Sequence, residues 1–348
     1  MITRDLRRAI ARSVAATGYR QAGDPGLRPT GTLGQYAASI ALTLGANPRE
    51  TAETLAGTLA EEHWVKTAAV TGPGYLTITV TPEALAGVAD AVISAGPACV
   101  TSDALAGHTV PAATQGDPLA ASTWEEARAA LAARLTARLA AAAGAAVAEL
   151  PATERVQVSR QPSTDAGGFG GWSLREAAGG FGGWSLREAA AFAGRDAVLF
   201  TLARAIPGKP LRIDPETMAK HVPGNPAYAV RYAHARAASG VRWATASSSA
   251  DTIRVAEAST LLDALSWLPE RVAIAARRGR PDEFAHYLED LARVTVDVLS
   301  SVSHPGAGGT GREKRTAPGS DKLTLAQAAR TGLAAGLGLV EVSAPDRL

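Results

Sequence analysis

Leu6, Ile10 and Val14 recur at four-residue intervals with arginines between them, a spacing that predicts an amphipathic helix over residues 3–17. Residues 33–62 read as two further helices, the second opening at Pro48 with Arg49-Glu50 behind it. The period then shortens to two. Ala68-Ala69-Val70 and Tyr75-Leu76-Thr77-Ile78-Thr79-Val80 predict strands on either side of a Gly72-Pro73-Gly74 turn. Tyr75, Thr77 and Thr79 fall on one face of the second strand, and Leu76, Ile78 and Val80 on the other. Pro82-Glu83 starts a helix that runs to about residue 95. Together these elements make a small α+β domain.

Periodicity is lost over residues 101–122, where Gly, Pro, Ser and Thr accumulate, and the segment reads as a linker. Trp124 to about Ala146 is an Ala-rich helix carrying Arg128, Arg134 and Arg138. Further on, Gly167-Gly168-Phe169-Gly170-Gly171-Trp172-Ser173-Leu174-Arg175-Glu176-Ala177-Ala178 recurs without change as Gly179 through Ala190. Two short copies are too few for a solenoid, which needs about three units of 20 or more residues. A duplication in a tolerant surface loop fits, because each doubling of loop length costs only about 0.6 kcal/mol. The alternative is a glycine nest for phosphate, against which Phe and Trp interrupt the glycines and no Lys follows. From Trp184 the pattern is helical over 185–192, 194–204, 226–243, 253–276, 281–302 and 323–338, and long helices with short connections give a bundle. The gap from Ser303 to Lys322, with Arg312-Glu313-Lys314-Arg315, reads as an exposed, mobile loop.

Composition narrows this picture. A chain of 348 residues with 46% hydrophobic and 20% charged residues suffices for two or three cores. The net charge of +2 gives no whole-molecule field, so a nucleic-acid site has to be local. Arginines number 30 against 5 lysines. Arg suits bidentate phosphate contacts and base stacking, although GC-rich coding produces the same bias alongside abundant Ala. The single cysteine, Cys99, excludes an internal disulfide framework and a cysteine-based zinc cluster. No run of about 18 uncharged apolar residues is present, so no membrane partner is expected. Met1 to Ile10 lacks the apolar core of a secretory signal, which makes the cytosol the expected compartment.

Gly224-Asn225-Pro226-Ala227-Tyr228-Ala229-Val230-Arg231-Tyr232-Ala233-His234-Ala235-Arg236 resembles the helix that opens the anticodon-binding domain of arginyl-tRNA synthetases. Trp184 to Ala190 and Gly194-Arg195-Asp196-Ala197 are similar to the segment leading out of that family's catalytic domain. Leu323 to Arg330 and the terminal Ala344-Pro345-Asp346-Arg347-Leu348 resemble the end of its helical domain. Nearer the start, Gly34-Gln35-Tyr36, Asn47-Pro48-Arg49-Glu50 and Gly72-Pro73-Gly74-Tyr75 resemble the GDY, NPRE and GPGF motifs of its extra tRNA-binding domain. The resemblance spans residues 5–105 and 184–348. It implies an α+β N-terminal domain over 1–107, a short central α/β remnant with the tandem repeat over 108–183, and an all-α C-terminal helical bundle of the DALR anticodon-binding type over 184–348.

The family's ATP chemistry uses a HIGH signature and a mobile KMSK-type loop to hold developing phosphate charge. Neither motif occurs here. Val156 to Asp165 stands where the KMSK lysines belong and offers only Arg160 as a cation. Residues 108–183 have room for one or two βαβ units of about 30 residues each, whereas a nucleotide-binding sheet is built from two βαβαβ halves. No Cys-His metal spacing, GxSxG elbow or Walker loop is present, so no catalytic residue, metal ligand or cofactor is assigned.

Binding is better served. A 3.6-residue period puts Tyr228, Tyr232 and Arg236 on one helix face, and unpaired bases stack on aromatic rings and Arg planes. The candidate RNA-binding residues are Tyr228, Arg231, Tyr232, His234 and Arg236, with Gln35 and Tyr75 in the N-terminal domain. Alternatively the tyrosines pack in the bundle core with His234 hydrogen-bonded there. The family's Phe-Tyr pair is missing from Leu291 to Val298, and Thr77 and Ser39 stand where asparagines are usual. Arg271, Arg277, Arg278 and Arg280 form either a compensating basic cluster or a solvated helix end. Three functions are compatible with these features. The first is a non-catalytic paralogue, a pseudoenzyme that binds tRNA, an arginine acceptor by the resemblance, or scaffolds a protein partner acting on it. The second is an active arginine–tRNA ligase using ATP. The third is a protein-interaction subunit without RNA binding.

Overall fold

The computed structural model describes residues 1–18, 23–45, 47–113, 116–148, 183–246, 255–301 and 321–348. Helix α1 (Ile2–Ala16) buries Leu6, Ile10 and Val14. Strands β1 (Arg28–Pro29) and β2 (Gln35–Ala38) follow, then α2 (Ala41–Leu44), α3 (Pro48–Ala60), β3 (Val65–Thr71) and β4 (Tyr75–Val80). The sheet order is β1-β2-β4-β3, with every neighbour antiparallel. Leu76, Ile78 and Val80 are buried as the alternation predicts, while Tyr75 is exposed.

One expected helix is a strand. Residues 35–38 pair with β4, placing Tyr36 opposite Ile78, both fully buried. Gly34, at φ +68, turns the chain into this strand. The four residues owe their conformation to a tertiary partner, which overrides local propensity. The hairpin tip shows how two separate motifs meet. Gly74 has φ +140, and a Cβ there would lie 2.8 Å from the Pro48 carbonyl oxygen. The Gly-Pro-Gly-Tyr turn therefore rests on the first turn of α3, where Asn47-Pro48 begins.

Thr81 caps α4 (Pro82–Ala86) by accepting from the Ala84 N–H at 3.2 Å, and α5 (Val88–Ala95) runs into a 3-10 turn at Gly96–Val100. The stretch Pro82–Val100 is long and apolar enough to cross a membrane by length and composition alone. Here it is interrupted at Gly87 and at Gly96, and it packs on the last helix of the chain.

The middle of the chain holds β5 (Thr109–Pro111), α6 (Trp124–Ala142) and β6 (Ala146–Ala148). β5 and β6 pair in parallel, with Val110 opposite Val147. Among the described residues this is one βαβ unit, the short α/β remnant expected. The linker expected over 101–122 thus contains a strand. The segment Val156 to Asp165, the first copy of the repeat and most of the loop Ser303 to Lys322 lie outside the described residues.

The remaining elements among the described residues are helices: α7 (Leu186–Ala193), α8 (Arg195–Ala203), α9 (Pro215–Ala219), α10 (Pro226–Ala246), α11 (Val255–Ser266), α12 (Leu268–Arg278), α13 (Pro281–Ser300) and α14 (Lys322–Leu339). The second repeat copy supplies the start of α7, where Ser185 and Glu188 form a reciprocal capping box. The helix expected over 253–276 is split at Trp267. Pro269 has no N–H to give to the carbonyl four residues back, so the chain restarts there as a new helix.

That break receives the N-terminal elements. Thr3 Oγ1 donates to the Ser266 carbonyl at 2.7 Å, the Tyr36 hydroxyl lies 2.9 Å from Ser266 Oγ, and the Gly34 N–H donates to Asp263 Oδ1 at 3.0 Å. Arg7 forks onto Glu270, Nε to Oε2 at 2.6 Å and Nη2 to Oε1 at 2.7 Å.

Candidate nucleic-acid interface

Helix α10 is set in place by the residue before it. The buried Asn225 amide donates to the carbonyls of Met218 at 2.7 Å and Lys220 at 2.8 Å, tying α9 to the start of α10. Pro226 fits the first helical position, where its missing N–H costs nothing.

From that anchor an aromatic stripe runs along the helix. The His221 ring stacks on Tyr228 at 5.2 Å and 13°, and Tyr228 stacks on Tyr232 at 5.6 Å and 20°. Tyr232 is 38% exposed and Trp243 is 71% exposed. Eleven residues separate these two, about three helical turns, so they share a face over roughly 16 Å. Arg236 lies between them, exposed, with no hydrogen bond or ion pair among the described residues. The spacing argument brought Tyr228, Tyr232 and Arg236 together but missed His221 and Trp243. Trp243 was available from the eleven-residue interval; His221 lies outside the helix, and no periodicity points to it.

The other two residues of the motif turn inward. His234 is 2% exposed, and its Nδ1 sits 2.9 Å from the Pro345 carbonyl oxygen. A carbonyl only accepts, so Nδ1 carries the proton. Burial pushes the imidazole pKa below its ordinary value. Arg231 reaches Asp196 on α8 at 3.4 Å and Ser343 Oγ at 3.5 Å. Arg330 forks onto the Asp346 carboxylate at 3.0 and 3.2 Å, and Arg242 donates to the Asp346 carbonyl at 3.1 Å. The helix motif and the terminal Ala344-Pro345-Asp346 are thus parts of one clasp, and its geometry gives Arg231 and His234 a tail-holding position.

Gln35 and Tyr75 occupy the outer face of the N-terminal sheet. Gln35 pairs across to Thr79, with its Nε2 donating to Thr79 Oγ1 at 3.3 Å, and Thr79 shares a face with Thr77 and the exposed Tyr75. The cluster Arg271, Arg277, Arg278 and Arg280 is used internally. Arg271 lies 5.6 Å from the ring centroids of both Trp267 and Tyr287. Arg277 pairs with Asp24, Arg278 with Glu283 at 3.0 Å, and Arg280 with Asp282 at 2.6 Å.

The DALR anticodon binding domain family matches residues 230–348, and the arginyl tRNA synthetase N terminal domain family matches residues 4–80. The chain carries an arginyl tRNA synthetase N terminal domain and a DALR anticodon binding domain. An arginine–tRNA ligase of Micrococcus luteus is 37% identical over 164 residues, which cover 44% of this chain and 29% of that protein. An arginine–tRNA ligase of Kineococcus radiotolerans is 36% identical over 164 residues, with the same coverage. The matched part therefore spans less than a third of the length of these curated relatives. The solved Thermus thermophilus arginyl-tRNA synthetase superposes over 100% of both chains with a TM-score of 0.63 at 15% identity, a likeness of fold.

Between the N-terminal and DALR modules the described residues hold one βαβ unit, whose helix begins in a capping box. At α6, Glu126 Oε2 accepts from the backbone N–H groups of Ser122 at 3.1 Å and Thr123 at 3.2 Å, while Thr123 Oγ1 accepts from the Glu126 N–H at 3.2 Å. Glu126 thus closes a reciprocal capping box with Thr123 and places a carboxylate in the first turn of this helix. Just upstream, Arg195 forks onto Asp117 with both contacts at 3.0 Å, holding the Asp117 carboxyl below its usual range. Trp124 Nε1 donates to the Trp184 carbonyl at 3.0 Å and fastens the helix to the DALR side.

Proposed function

We propose that this chain is a non-catalytic, cytosolic arginyl-tRNA synthetase paralogue that binds tRNA, specifically an arginine acceptor. The observation that carries the reading is the stripe of Tyr228, Tyr232, Arg236 and Trp243 on α10, with His221 stacked on its near end. It offers stacked and exposed rings with an unengaged guanidinium among them, the groups on which unpaired bases stack. The outer sheet face around Tyr75 and Gln35 supplies a second contact region.

Two features speak against ligase chemistry. The turn that leads from β5 into α6 contains no histidine, and no HIGH signature occurs in the sequence. The first turn of that helix carries the carboxylates of Glu125 and Glu126, whose charge opposes a phosphate at its N-terminus.

The test is tRNA binding by fluorescence titration at rising salt, paired with a charging assay. Binding should weaken as salt rises, because Arg contacts release counterions from phosphates. Arginine-dependent pyrophosphate exchange and tRNA charging should both stay at background. Charging by protein free of host synthetase would overturn the non-catalytic claim. Wild-type protein without salt-sensitive tRNA binding would replace it with a protein-scaffold role.

A further inference from the structure

The loop between α8 and α9 borders an open cavity of about 380 Å³ against α13, lined by none of the residues of the aromatic stripe. Small-molecule sites run from roughly 300 to 1,000 Å³, so a ligand of mononucleotide size fits. Its walls are chemically unequal. Ile206, Pro210 and Leu211 give an apolar side. Arg204, Lys209, Arg212 and His286 give a cationic one.

The cations are not equally engaged. Arg204 forks onto Glu289, Nε to Oε1 at 2.6 Å and Nη2 to Oε2 at 3.3 Å. His286 Nδ1 faces the same Oε1 at 3.4 Å, and His286 Nε2 is buried with no hydrogen-bond partner. Lys209 and Arg212 are exposed, and their side chains make no ion pair among the described residues. Glu289 offsets Arg204, which leaves two uncompensated positive charges and one orphaned ring nitrogen at a single concave site.

We propose that this cavity binds a phosphomonoester carried on a small, partly apolar body, the chemistry of a mononucleotide. A phosphomonoester carries a charge near −2 at neutral pH, the charge that Lys209 and Arg212 leave uncompensated. Arg212 can fork onto two phosphate oxygens while Lys209 acts as a point charge. When His286 Nε2 carries a hydrogen, a phosphate oxygen accepts it and removes the cost of an unpaired polar atom. The apolar wall accepts the base. A phosphodiester has half that charge and lacks the free terminal group that a concave site of this size receives. Two sources carry this chemistry, a free mononucleotide and the 5′-phosphorylated end of an RNA.

The experiment is calorimetric titration of the full chain with AMP, with adenosine in parallel. AMP should bind saturably, and adenosine at least tenfold more weakly. Lys209→Ala/Arg212→Ala should lose at least tenfold in AMP affinity, and His286→Gln a smaller factor. Arg236→Ala, on the aromatic stripe, should leave AMP affinity at the wild-type value, which separates this site from the tRNA reading. Short RNA oligomers then distinguish the sources. Displacement of AMP by the 5′-phosphorylated oligomer and not its 5′-hydroxyl twin assigns the site to RNA ends, and no displacement by either assigns it to free mononucleotides. Absence of AMP binding in the millimolar range, equal binding of adenosine, or an unchanged double variant would overturn the proposal.

Discussion

Trp243 presents 71% of its surface to solvent near the end of α10 and makes no ring contact with another aromatic side chain among the described residues. Truncating it removes little packing, so Trp243→Ala should change stability by no more than about 0.5 kcal/mol. If the stripe stacks on bases, the same change should weaken tRNA binding by roughly 5- to 150-fold, the equivalent of about 1–3 kcal/mol per stacked base. Tyr232→Ala should do likewise. Thermal melts read beside anisotropy titrations separate these effects, and variants that bind as wild type would remove the stripe from the interface. His234 belongs to the opposite category, a buried group whose effect shows in stability. Its pKa is pushed below the ordinary 6.5 by burial, so the unfolded chain takes up the proton more readily than the folded one. That contribution is complete above about pH 6.5 and declines as pH falls below it. His234→Gln should flatten the stability loss between pH 7.5 and 5.5 in urea melts. An unchanged slope in the variant would assign the pH dependence to other groups.

Among elements, the hairpin tip makes a sharp case. Gly74 combines φ +140 with a backbone neighbour 2.8 Å from where a Cβ would stand, and Pro48 at the start of α3 cannot swing aside like a side chain. Gly74→Ala should cost about 1–3 kcal/mol, in the range of overpacking penalties. Gly57, with open space around it, should tolerate Ala in α3 without loss. Equal melting temperatures for the two variants would refute this contrast. The sequence made the long helices legible because their apolar period extends over several turns. β2 was hidden: Gln35 to Ala38 is too short to show a period, and its strand character comes from the Tyr36–Ile78 pairing. α9 escaped for the same reason of length. In the site, four-residue intervals were enough to align Tyr228, Tyr232 and Arg236. A core-bonded His234 was one of the two readings the helix allowed, but its partner Pro345 and the Ser343 contact of Arg231 were not legible, because they lie more than 100 residues away in sequence.

At the scale of the molecule, the break between α11 and α12 joins the N-terminal elements to the helical bundle, and one buried ion pair lies at its centre. Arg7 is 9% exposed and Glu270 is 2% exposed. The two are not equivalent, because Arg7 Nη2 also contacts Asp24 Oδ1 at 2.7 Å, while Glu270 has no second ion-pair partner among the described residues. Arg7→Met therefore strands a buried carboxylate, at a cost of about 3–5 kcal/mol. Glu270→Met leaves Arg7 with Asp24 and should cost clearly less. Replacing both with Met should recover much of the single Arg7→Met loss, since buried ion pairs exchange for apolar packing at little net cost. Denaturant melts of the three variants test this ordering, and an equal cost for the two single changes would contradict it. The joint also bears on RNA. With the two modules docked, the sheet face at Tyr75 and the stripe at Tyr232 are held in one arrangement, and a single tRNA that engages both gains from the second contact being intramolecular. Tyr75→Ala and Tyr232→Ala should then have nearly additive effects on affinity in the wild-type background, because the residues share no partner. Arg7→Met should lower tRNA affinity even though Arg7 is buried beneath the joint. Wild-type affinity in a folded Arg7→Met protein would mean that the two modules bind RNA independently of their docking.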